Sequence, residues 1–147
     1  MTTPGSDPVL HLHIDGASRG NPGEAGFGVH VATPDGHPRA GLYGYLGHAT
    51  NNVAEYQALI HALRWALARG ARRVRVFSDS ELVVRQVLGR YKVKHPGMVP
   101  LHREATSLLR RFEEATVSHV RRELNREADG LANRALDERA SNIDVGG

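Results

Sequence analysis

The 147-residue sequence has no cysteine, so disulfide cross-links, thiolate nucleophiles and thiolate metal ligands are all excluded. Tryptophan occurs once, at Trp65, and aromatic residues make up only 5% of the chain, so the core must be built mainly from aliphatic side chains. No apolar run approaches the roughly 20 residues that a bilayer span needs. The amino terminus, MTTPGSDP, has no basic cluster leading into an apolar stretch, so no secretory leader is expected and a cytoplasmic location follows as the plain reading. Lysine is confined to Lys92 and Lys94, which leaves arginine to carry nearly all the positive charge. The 19 basic against 16 acidic residues give a net charge of +3, compatible with a polyanionic partner and uninformative alone. Histidine is present nine times, but without a His-Glu-x-x-His pattern or close pairing, and with cysteine absent no zinc set can be assembled.

What remains is a chain of ordinary globular composition, 40% hydrophobic and 24% charged, of a length that suits one domain. We expect a single domain over 1–147, with an ordered core over about 9–138 and a frayed polar tail from 139. Val9 to Ile14 reads as a short apolar strand, followed by a glycine-rich turn from Gly16 to Gly23. Phe27, Val29 and Val31 alternate as a strand, Asp35-Gly36 marks a turn, and Gly41 to Gly47 reads as the returning strand. The period then changes. Tyr56, Leu59, Ile60, Leu63 and Leu67 recur at helical spacing after Asn51-Asn52 and stop before Gly70. Strands over Arg72–Phe77 and Thr116–Arg121 and helices at 81–88, around Leu101–Phe112 and around Ala128–Ala135 complete the pattern, with a loop from Gly89 to Pro100. The order β-β-β-α-β-α-α-β-α implies an α/β fold with a mixed sheet, an antiparallel meander followed by strands reached through helical crossovers.

Four acidic residues fit a purely structural role poorly. Asp15 stands at the expected end of the first strand, where a turn-forming Asp-Gly is the simple explanation. Asp79 ends the strand Arg-Val-Arg-Val-Phe and can equally cap the next helix. Glu55 shares a helix face with Leu59, Ala62, Leu63 and Ala66, so it is expected to be partly buried, and a buried carboxylate needs a cationic partner, an arginine or a metal. Asp129 lies in the first turn of the last helix, where the helix dipole favours an anion. If the first and fourth strands are neighbours, these four carboxylates converge at one sheet edge, the usual place for a site in an α/β sheet. Hard oxygen donors of this kind select magnesium or manganese over zinc.

Four strings in this sequence resemble type 1 ribonuclease H: Asp15 through Gly23 (DGASRGNPG), Asn51 through Leu59 (NNVAEYQAL), Ser78-Asp79-Ser80 and Asn125 through Asp129 (NREAD). They stand in the family's order and spacing from about Val9 to Asp137. The resemblance implies the ribonuclease H-like fold, a five-stranded mixed sheet of order 3-2-1-4-5 flanked by helices. It also implies hydrolysis of the RNA strand of RNA/DNA hybrids. Asp15, Glu55, Asp79 and Asp129 would hold two divalent ions, Mg2+ or Mn2+, one generating the hydroxide nucleophile and one stabilising the leaving 3′ oxygen, to give 5′-phosphate and 3′-hydroxyl products. By the same resemblance Asn21, Asn51 and Asn52 would touch the hybrid minor groove, Thr50 a phosphate of the DNA strand, and Glu81 the position where many relatives carry a glutamine contacting a 2′-hydroxyl.

Two departures accompany the resemblance. Many relatives have a histidine in the loop before the last aspartate, and here no histidine lies between Val120 and Ala128; Glu123 is the expected substitute. Many bacterial relatives also carry a lysine-rich, tryptophan-bearing protrusion, reduced here to the short Tyr91-Lys92-Val93-Lys94-His95, and Trp65 is assigned to packing. The chain therefore resembles the short form, expected to act as a monomer on an RNA/DNA hybrid and away from membranes. Rival readings are a catalytically silent hybrid-binding domain, a DNA-cutting nuclease of the same superfamily, and a metal-independent ribonuclease using paired histidines. The full carboxylate set argues against the first, and the small size and the Asn51-Asn52 pair against the second. Histidines 11, 13, 30 and 48 at ordinary strand or loop positions argue against the third.

Overall fold

The computed structural model describes residues 9–144. Strands β1 (Leu10–Arg19), β2 (Gly23–Ala32) and β3 (Pro38–Ala49) form the meander, followed by helix α1 (Asn51–Ala68). Then come β4 (Arg73–Ser78), α2 (Glu81–Val87), α3 (Val99–Leu109), β5 (Glu114–His119), a 3-10 turn (Arg122–Leu124) and α4 (Arg126–Glu138). The sheet has the order β3-β2-β1-β4-β5 that the resemblance implies, with β1–β2 and β2–β3 antiparallel and β1–β4 and β4–β5 parallel. Among the described residues no helix is long and apolar enough to cross a membrane.

Alternation decides the two faces. Leu12 and Ile14 of β1, Phe27, Val29 and Val31 of β2 and Val74 and Val76 of β4 are buried beneath α1, which returns Tyr56, Leu59, Ala62 and Leu63 to the same core. Each fully buried side chain of this kind contributes about 1.5–3 kcal/mol of transfer free energy. Trp65 lies at the margin of that core with the Arg69 guanidinium 4.0 Å over its ring, a packing role as expected. The opposite face is covered over β2 by α4, which can approach because Gly28 has no side chain; a Cβ there would collide with the Ala128 carbonyl and the Ala132 amide.

Several expected boundaries shift. β1 continues past Ile14 to Arg19, paired with β2 as far as Arg19 opposite Glu24, so the turn is only residues 20–22 and Asp15 sits mid-strand. Gly16 punctuates nothing. It lies under the first turn of α1, where a Cβ would collide with the backbone of Ala54 and Glu55. α3 begins at Val99, before Leu101, since Pro100 is tolerated in a first helical turn. β5 ends at His119, and the 3-10 turn after it has no counterpart in the sequence pattern. The tail expected to fray is instead tied to the β3 edge as far as it is described: the Tyr43 amide donates to Asn142 Oδ1 at 2.8 Å, and the Tyr45 amide to Ser141 Oγ at 2.8 Å. The MTTPGSDP segment and residues 145–147 lie outside the described residues.

Candidate active site

The parallel ladder between β1 and β4 ends at Ile14 opposite Ser78. Asp15 and Asp79 are the next residues on their chains, so the strand register itself makes them neighbours. Glu55 reaches the same point from the first turns of α1, held there by the close approach over Gly16. Ligand oxygens of Asp15, Glu55 and Asp79 all lie within 4.8 Å of one another. Asp129, in the first turn of α4, lies near enough to Asp15 to help raise its pKa, outside the group of three.

The structural alternatives for these residues are taken by others. The cap of α1 is Thr50, whose Oγ1 accepts from the Val53 amide at 3.2 Å. The cap of α2 is Ser80, whose Oγ accepts from the Val83 amide at 3.3 Å, which leaves the Asp79 carboxylate without a capping role. Asp15 is in a strand and makes no turn. No arginine forms an ion pair with Asp15, Glu55 or Asp79 among the described residues.

The electrostatics follow from that isolation. Asp15 is 5% exposed and Glu55 4%. Burial, then the charges of Glu55 and Asp79 and the contact with Asp129, push the Asp15 carboxyl up to about 10. Burial pushes Glu55 up to about 8, despite hydrogen bonds from the Gly16 amide, Asp15 and Ser78 that favour its charge. Oε2 of Glu55 is buried with no hydrogen-bond partner. A cluster that must hold protons on its own becomes fully ionised only when cations replace them, and an all-carboxylate donor set suits a hard divalent cation. The residues present therefore fit the metal that the carboxylate pattern implies.

The cluster floors a hollow of about 470 Å³ whose rim includes Asn51, Asn52 and Glu123. Asn21 is joined to that rim, its Oδ1 accepting from the Asn51 amide at 3.1 Å. Glu123 is paired with Arg121 at 3.2 Å. Glu81 lies apart: its carboxylate binds Arg85 at 2.6 Å and faces a neighbouring hollow between α2 and β5. Sequence reasoning missed two residues. His119, at the end of β5, lines the acidic hollow, and no feature of the sequence marked it, since its place follows from the pairing opposite Ser78. Asn125 is fully buried and donates Nδ2 to the Ile14 carbonyl at 2.8 Å, while its backbone carbonyl accepts from the Asp129 amide at 3.1 Å. It thereby pins the start of α4 against β1 beside Asp15; its place in the string ending at Asp129 was the available clue.

Residues 13–135 match the model of a family described as reverse transcriptase-like. A bifunctional protein of Mycobacterium tuberculosis, Rv2228c, is 46% identical over 128 residues, 86% of this chain and 35% of the relative. The chain thus spans about a third of that relative's length. Ribonuclease HI of Halobacterium salinarum is 41% identical over 88% of this chain and 65% of its own. Its crystal structure superposes with a TM-score of 0.85, covering 98% of that chain. LC11-RNase H1, solved in complex with an RNA/DNA hybrid, is 38% identical with a TM-score of 0.84, covering 88% of this chain and 98% of the other. With a family model matched over residues 13–135 and a ribonuclease H1 structure 41% identical that superposes over 88% of this chain and 98% of its own, the chain belongs to the type 1 ribonuclease H family.

Proposed function

We propose that this chain is a metal-dependent endoribonuclease that hydrolyses the RNA strand of RNA/DNA hybrids, leaving 5′-phosphate and 3′-hydroxyl ends. The observation that carries the reading is the convergence of buried Asp15 and Glu55 with half-buried Asp79, their ligand oxygens within 4.8 Å of one another and none of the three in an ion pair with an arginine among the described residues. A silent binding domain has no use for a cluster that costs this much to bury.

Asp15, Glu55, Asp79 and Asp129 would hold two divalent ions. When bound, such ions supply an activated water nucleophile and charge stabilisation at the leaving 3′ oxygen. The protein's own contribution is position. The β1–β4 register sets the spacing of Asp15 and Asp79, Gly16 lets α1 bring Glu55 down to them, and Asn125 fixes the turn that carries Asp129. Asn51 and Asn52 stand on the rim of the hollow, where amide side chains with both donor and acceptor can read a 2′-hydroxyl and a base edge in the minor groove. Asn21 supports them by fixing the Asn51 backbone. Thr50, next to them, is half-buried and caps α1 with its hydroxyl, and in this reading it also grips a phosphate of the DNA strand. We assign Glu123 to the rim, tethered by Arg121, and Glu81 to the adjoining hollow rather than to the cleavage centre. The chain acts as one domain and as a monomer in this reading.

The test is a gel assay of a labelled hybrid, duplex DNA and duplex RNA, each with magnesium, manganese or chelator. Cleavage confined to the RNA of the hybrid, absent in chelator and giving 5′-phosphate ends, is the expected result. Full activity in chelator, or a 2′,3′-cyclic phosphate product, overturns it.

A further inference from the structure

The acidic hollow does not end at His119. The same residue lines a second hollow of about 270 Å³ on its other side, between α2 and β5, whose walls include Glu81, Arg85, Leu88, Arg90 and Ser118. The one acidic wall residue, Glu81, is already neutralised by Arg85 at 2.6 Å, so the charge left over belongs to Arg90. Arg90 has no ion pair among the described residues. Its backbone is nevertheless fixed. Gly89 turns the chain at φ +79°, and the Arg90 amide then donates to the Arg85 carbonyl at 2.8 Å, which directs the residue back over the groove.

A second observation singles out the same surface. Among the described residues, the exposed large hydrophobic side chains are Leu82, Leu88, Tyr91 and Leu124. Leu88 lines the hollow between α2 and β5, Tyr91 packs against Arg85 of its wall with the guanidinium 5.3 Å from the ring, and Leu82 lies on the same helix. Exposed apolar side chains gathered at one place mark a binding surface more often than scattered ones do. A groove that adjoins the cleavage centre and carries an arginine without an ion-pair partner beside Leu88 suits a polynucleotide backbone.

We propose that the hollow between α2 and β5 is a phosphate subsite for the nucleic-acid strand being cut, entered past His119, with Arg90 as its anion-binding residue. The subsite rests on the hybrid-cleaving reading for the identity of the strand, and its test is independent of cleavage. Binding of a fluorescently labelled RNA/DNA hybrid is measured by anisotropy in chelator between about 50 and 200 mM salt, where each phosphate neutralised contributes about 0.9 to the slope of log affinity against log salt. Arg90→Ala is expected to weaken binding about fivefold and to lower the slope by about 0.9. Arg90→Lys is expected to keep the slope, because the slope counts charge. Arg111→Ala, which removes an exposed arginine after α3, is expected to behave as the parent. An Arg90→Ala protein with parental affinity and slope overturns the subsite, as does an Arg90→Lys protein that loses the slope. A parent that binds the hybrid with the expected slope but never cuts it would instead overturn the proposed activity and leave the subsite standing.

Discussion

Two regions of this molecule are equally buried and opposite in their energetics. Beneath α1, the side chains of Leu12, Ile14, Val29, Leu59 and Leu63 leave water and lose nothing in exchange. A few ångströms along the same strand and the same helix, Asp15 and Glu55 leave water as well, and there burial works against their charge. The first region stabilises the fold and can tolerate only similar shapes. The second is held in place by the first, and its cost is offset only when cations enter. Stability and activity should therefore separate cleanly by mutation.

The largest separation is expected at Asp79. Replacing it by Asn removes one carboxylate charge of the proposed metal site and no core packing, so hybrid cleavage should fall at least a thousandfold, about 4 kcal/mol of transition-state stabilisation. The urea midpoint should remain at or above that of the parent. A folded Asp79→Asn protein with near-parental turnover would remove the residue from the site. The mirror experiment is Leu59→Ala, a fully buried truncation on the α1 face. It should cost about 2–5 kcal/mol in equilibrium unfolding, while the fraction still folded at low temperature cuts at close to the parental rate.

Asn52 sharpens the comparison because it stands on the rim of the acidic hollow while the capping of α1 is done by Thr50. Asn52→Ala should slow hybrid cleavage about tenfold, roughly 1.4 kcal/mol, with little change in melting temperature. A drop in melting temperature with unchanged cleavage would return Asn52 to a structural role.

The mildest perturbation is a change of pH on the metal-free protein. Unfolded carboxyl groups ionise near pH 4, whereas folded Asp15 retains its proton to about 10 and Glu55 to about 8. The folded chain then binds more protons across that interval. The stability linked to them is complete below about pH 4 and is lost as pH rises through the two folded values. In chelator, melting temperature should fall as pH is raised from 5 to 9, magnesium should flatten the decline, and Asp15→Asn should flatten it without metal. Each retained proton contributes a slope of up to about 1.4 kcal/mol per pH unit, so the fall should be steady across the interval. A melting temperature in chelator that rises over this range would contradict the assigned proton retention.

Much of the fold was legible because its periodicities are local. The 3.6-residue pattern of α1 and the alternation of β2 and β4 need only their own neighbours to be read. The errors fall where a distant element decides. Gly16 looked like a strand breaker and is a strand residue, because the helix packing on it lies some 40 positions later in the sequence. The residues from Ser141 to Asn142 looked like a free tail and complete the hydrogen bonding of the β3 edge. His119 carried no signal of its own until β5 was placed beside β4.

By itself the sequence determined the element order, the apolar face of α1 and four carboxylates that local structure had little use for. Tertiary structure alone decided that Thr50 and Ser80 take the capping duties, that β1 runs unbroken past Asp15, that Asn125 is a buried pin and that Glu81 turns to Arg85. The reason is physical. Amphipathic periodicity is written in short-range spacing, whereas the ionisation of a carboxylate, the partner of a buried amide and the room over a glycine depend on what the fold brings within a few ångströms.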